Sequence, residues 1–174
     1  MRGLVSVILA VAVFAAEPMV LDVERGTDRL LIRCSLVDVL PDSLESTLSS
    51  GARAQIDYSL RVYSRRRLFP DRRLWRGTAE SIVTFDALTG RYRCQLIVNG
   101  TTTDSKEFLS TEEARRWLLA PPPVEVPLPK GRRDAFLRVR ARAVFSRGTT
   151  WLVFPSSDGT DWTETRLEPP PVDQ

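Results

Sequence analysis

The chain contains no histidine and two cysteines, Cys34 and Cys94. Without histidine there is no Ser-His-Asp or Cys-His nucleophile system, no histidine-based zinc site, and no general base of the usual kind near neutral pH. Two cysteines fall short of a four-cysteine metal site. No Gly-x-x-x-x-Gly-Lys or Gly-x-Gly-x-x-Gly stretch occurs to cradle a phosphate. Asp158 and Asp161, in SSDGTDW, lack the alternating ligand positions and the closing glutamate of a calcium loop, and read as a solvated turn. Asp57, Glu80 and Asp86 offer a formal carboxylate pair of the glycosidase kind, as a chain with 22 acidic residues readily does. A hydrolase is therefore the third reading, and no enzyme activity, cofactor or metal is expected.

Arginine supplies most of the remaining chemistry. The formal charge is +3, and the only lysines are Lys106 and Lys130. Arg61, Arg65, Arg66, Arg67, Arg72, Arg73 and Arg76 fall close together, opposed in that stretch only by Asp71. Arg65, Arg66, Arg67, Arg72 and Arg73 are candidates for contact with an anionic surface, and Leu68 and Phe69 between them would be the apolar insertion. Their alternative is to pack beneath their own hairpin. A second series, Arg138, Arg140 and Arg142, alternates with Leu137, Val139, Ala141 and Ala143. At period two, these arginines share one face of a strand roughly 7 Å apart while the apolar set faces the core. A solvated sheet face explains that series; the sharper reading is a contact for anionic lipid, polyanion or an acidic protein patch.

The elements that must hold these residues are mainly strands. Leu30, Ile32, Cys34 and Leu36 alternate, as do Ala54, Ile56, Tyr58, Leu60 and Val62. Trp75, Ala79, Val83 and Phe85 share a face in a third run, and Tyr92, Cys94, Leu96 and Val98 in a fourth. Asp86 to Gly90 reads as a turn with positive φ at Gly90, and Asn99-Gly100 as a type I′ hairpin turn leading to a strand through Lys106 to Leu109. The segment Ser64 to Arg73 joins two strands of about ten residues and should stand out as a hairpin tip. Two short helices interrupt the strands. PDSLESTL, from Pro41, carries Leu44 and Leu48 one turn apart. The second opens with Ser110-Thr111-Glu112-Glu113, a capping box in which Ser110 accepts from the N3 amide, with Leu109 and Ala114 placed for a staple and Ala114, Trp117 and Leu118 as the buried stripe. The fold class expected is mainly β, an antiparallel β-sandwich with a long projecting hairpin and two short helices.

Residues 1–16, MRGLVSVILAVAVFAA, have a basic start, an apolar run and then small residues, the layout of a signal peptide. The run from Leu4 to Phe14 is shorter than the roughly 20 residues that span a membrane, so cleavage is expected in preference to an uncleaved anchor. Residues 17–168 then form a single β-rich domain with a proline-rich connection at 120–131, and residues 169–174 a frayed tail. Delivery to an oxidising compartment, apolar parity on both strands and the lack of a third cysteine together predict a Cys34–Cys94 disulfide, stabilising by about 4 kcal/mol through loop closure. A free pair of buried core cysteines is the alternative.

FDALTGRYRC places Tyr92 two residues before Cys94, as at an immunoglobulin tyrosine corner. That match is accidental, because Trp75 lies on a strand later than the one following Cys34. VYSRRRLFPDRRLWRGTAESIVTFDALTGRYRC instead resembles the bacterial domain-of-unknown-function family 4390, with Phe69, Asp71, Ala87, Leu88, Thr89 and Tyr92 on its pattern. Leu44, Gly51, the helix start at Ser110 and Trp162 follow more loosely, over roughly Arg29 to Trp162. Pro70, Cys94 and the long proline-rich segment depart from it. The resemblance implies an exported protein of a Gram-negative bacterium, without assigned activity, of a kind often encoded beside a membrane sensor kinase. The function expected is therefore a periplasmic, non-enzymatic interaction module whose partner is a membrane sensor kinase or another envelope component. The alternative is a binder of anionic lipid or polyanion through the arginine-rich hairpin. No nucleic-acid partner is expected.

Overall fold

Alternating burial organises nearly every strand of the computed structural model, which describes residues 19–37, 40–66, 68–129, 135–149 and 155–169. Residues 1–16, expected to be a signal peptide, lie outside the described residues, as do Arg67 and all of the tail except Pro169. The chain runs β1 (Met19–Arg25), β2 (Arg29–Leu36), α1 (Asp42–Ser49), β3 (Ala54–Ser64), β4 (Arg72–Asp86), β5 (Arg91–Val98) and β6 (Thr101–Phe108). Then follow α2 (Thr111–Leu119), β7 (Val124–Pro127), β8 (Leu137–Thr149), β9 (Pro155–Gly159) and β10 (Thr163–Leu167).

All pairings are antiparallel, in two sheets. The smaller has the order β1-β2-β7; the larger runs β10-β8-β3-β4-β5-β6, with β9 also paired to β8. The expected mainly β, sandwich-like architecture with two helices is thus observed. The core lies between the sheets and is built from the predicted parities: Leu30, Ile32, Cys34 and Leu36 from β2, Ala54 to Val62 at alternate positions from β3, and Val139, Ala141 and Ala143 from β8. The small sheet is too narrow to cover the large one, and the helices close the rest. Leu44 and Leu48 of α1 are buried, as are Ala114, Trp117 and Leu118 of α2. The buried Tyr58 hydroxyl donates to the Leu118 carbonyl at 3.3 Å and Ser81 Oγ to that of Trp117 at 3.4 Å, tying α2 to β3 and β4. At the opposite margin, Thr163 and Thr165 of β10 donate side-chain hydrogen bonds to the Met19 and Leu21 carbonyls of β1, stitching the sheets together.

Several local expectations need correction. Cys34 and Cys94 are free, buried thiols and form no disulfide. They do face the core, but Cys34 belongs to the small sheet and Cys94 to the large one. Face-packed sheets stand about 10 Å apart, beyond the roughly 7 Å between Cα atoms that a disulfide spans. Burial pushes both thiols up to about 12. Ser110 caps α2 by accepting from the N2 amide of Glu112 at 3.2 Å, not from the N3 amide. No hydrophobic staple forms, since Leu109 is exposed while Ala114 is buried. The proline-rich segment is more than a connection: β7 pairs with β2 at an edge, the sheet position where proline's missing donor is tolerated. The strand after Asn99-Gly100 begins at Thr101, and positive φ at both turn residues agrees with the predicted hairpin. Gly90 also has the positive φ expected of it, with its N–H donating to the Asp86 carbonyl.

Candidate contact surfaces

The strands β3 and β4 sit at the centre of the large sheet, so their connection emerges from its end, flanked by the start of β8. Ser64 pairs with both Arg72 and Leu137, and the Arg65 N–H donates to the Phe136 carbonyl at 2.9 Å. Arg65, Arg66, Arg72 and Arg73 are all exposed. Leu68 and Phe69 do not pack under the hairpin; they are 87% and 69% exposed. Phe136, at 51%, extends this apolar tip from the residue just before β8. Asp71 turns the other way and pairs with Arg138 at 2.9 Å, which fixes the base of the connection. The predicted residues are therefore brought together, apart from Arg67, which lies outside the described residues. Phe136 was missed. It shares parity with Arg138, Arg140 and Arg142, so extending that alternation one step would have placed it outward; its closeness to Arg65 depends on the pairing of β8 with β3.

The second arginine series lies on the outer face of the same sheet. Register sets Arg140 opposite Arg61, and Arg61 opposite Arg76, while Arg138 lies opposite Tyr63 and Arg142 opposite Ser59. Between β9 and β10 the chain bulges. Thr160 is buried, its N–H donating to the Ala143 carbonyl and its Oγ1 accepting from the Ala143 N–H. The bulge brings Trp162 against the arginines: the guanidinium carbons of Arg61, Arg140 and Arg142 lie 4.3, 5.2 and 5.2 Å from its ring centroid.

Of the acids considered for hydrolysis, Asp57 and Glu80 come together and Asp86 stands apart. Asp57 and Glu80 are opposite one another on β3 and β4, and Gln55 Nε2 donates to Asp57 at 2.6 Å and to Glu80 at 3.4 Å. Asp86 is at the far end of β4, where the Leu88 and Thr89 N–H groups donate to it; the Leu88 bond foremost holds its carboxyl below the usual range. A shallow hollow of about 370 Å³ lies elsewhere, against α2, lined by Phe108, Glu113, Arg116, Trp117, Leu119 and Ala120. Among the described residues no group of three His, Cys, Asp or Glu is placed to hold a metal, and no helix is long and apolar enough to cross a membrane.

Residues 15–153 match the family described as Domain of unknown function (DUF4390), which is most of the chain. The chain belongs to the DUF4390 family. The match starts before Arg29 and ends before Trp162, so that tryptophan is outside the matched stretch of this DUF4390 protein. No curated protein and no solved structure matches it.

Proposed function

We propose that this DUF4390 protein is an exported, non-enzymatic interaction module of the Gram-negative envelope, working in the periplasm at the surface of an anionic membrane. The supporting observation is the exposed tip, where Leu68, Phe69 and Phe136 stand among Arg65, Arg66, Arg72 and Arg73. Solvent-exposed apolar side chains ringed by cations suit a lipid interface: the rings and leucine enter the headgroup boundary while the arginines meet phosphates. The signal-peptide layout of residues 1–16 supports export and release. A module held at the membrane would be placed beside a membrane protein partner, and a sensor kinase remains the partner implied by the family resemblance.

A photo-crosslinking side chain at Phe69 tests the reading in intact envelopes. Crosslinks to phospholipid are the expected result. Crosslinks to one protein, with none to lipid, would transfer the tip to a protein interface. Crosslinks to neither would remove the tip from the function.

A further inference from the structure

We infer that Arg61, Arg140 and Arg142, gathered around Trp162, form a binding site for a soluble phosphate-type oxyanion, separate from the membrane-facing tip. The register places like charges directly opposite one another, Arg140 beside Arg61 and Arg61 beside Arg76, an arrangement that destabilises a sheet unless something compensates it. Carboxylates compensate only one side. Asp71 and Glu164 pair with Arg138, and Glu164 is 3.8 Å from Arg140. Among the described residues no carboxylate lies within ion-pair distance of Arg61, Arg76 or Arg142. The Trp162 ring attracts each cation over its face but carries no net charge to offset Arg61 and Arg142.

The arginine stems are held in place by packing. The Nε atoms of Arg140 and Arg142 are buried without hydrogen-bond partners in the protein, so both stems are held beneath their guanidinium ends. Three guanidinium groups around one indole lie within reach of a single multi-oxygen anion, and their planar forks match phosphate oxygens in pairs. A soluble source follows from position. At about 3.4 Å per residue, Arg61 lies roughly 10 Å behind Ser64 and Ser59, opposite Arg142, roughly 17 Å behind it. Headgroups that meet Leu68 and Phe69 would not also reach this face.

Isothermal titration of the full mature protein with pyrophosphate at low ionic strength tests the site. The expected result is saturable binding near one equivalent, weakened by added salt. The R61Q/R142Q variant should lose more than about tenfold in affinity. Its ligand-free melting temperature should equal or exceed that of the parent, because two repelling charges are gone, and its binding to anionic vesicles should persist. A parent protein that takes up no pyrophosphate overturns the inference, as does equal binding by the variant. If R61Q/R142Q unfolds, R142Q alone supplies the same comparison. Loss of vesicle binding with pyrophosphate binding intact would also contradict it, by assigning these arginines to lipid.

Discussion

The two cysteines show how far parity carries and where it stops. Alternation along β2 and β5 correctly turns Cys34 and Cys94 inward, yet it contains no information on which sheet each strand joins. Their thiols are raised by burial to about 12 from an ordinary 9.0, and Tyr58 is raised too, chiefly by burial and further by Cys34. A raised folded-state value means that the native protein keeps protons which the unfolded chain releases first. These groups therefore contribute stability that is complete below about pH 9 and is lost as pH rises toward 12, by up to about 1.4 kcal/mol per pH unit for each group in that window. Urea midpoints measured from pH 8 to 11 should fall, and less steeply in C94A. The parent should yield two titratable thiols in denaturant, almost none when native, and a melting temperature unmoved by reductant. A midpoint that is flat across this range would contradict the burial of both thiols.

At the scale of elements, local signals and long-range ones separate cleanly. Helix α2 was legible because its cap, acidic first turn and Ala114, Trp117, Leu118 stripe all lie within a few residues. Its cap partner was not, since one amide's difference depends on the approach of the preceding β6. S110A should cost about 1 kcal/mol, the usual value for losing an N-cap, and thermal unfolding will read it. Leu109 to Ser at the exposed position beside it should cost almost nothing. The β9–β10 bulge lies in SSDGTDW, where a turn was legible but the burial of Thr160 against β8 was not. Its tightest point is Gly159, where a Cβ would collide with the Ala143 carbonyl oxygen, so backbone rather than a flexible side chain would have to yield. G159A should destabilise by about 1–3 kcal/mol, as overpacking does, and shift Trp162 from the arginines. A melting temperature equal to the parent's would show that the bulge is not held this tightly.

For the whole molecule, the pairing of β8 with β3 is the step that makes a surface out of scattered residues. Composition and spacing identified the arginines and the two apolar residues between them, whereas Phe136 joined them only through contact between distant segments. The same pairing lines Arg138, Arg140 and Arg142 along the sheet and leaves the tip at its end, dividing the basic charge into two places with different geometries. A membrane contact at the tip makes a quantitative demand, because each exposed basic residue near an acidic bilayer contributes around 1 kcal/mol. The most direct measurement is co-sedimentation of the protein from residue 17 onward with vesicles of phosphatidylglycerol and phosphatidylethanolamine, for the parent and R65E/R66E/R67E, at low ionic strength. Binding by the parent, a loss of about 100-fold or more in the variant, and an unchanged melting temperature are the predicted result; equal binding by the two proteins would contradict a membrane-docking tip.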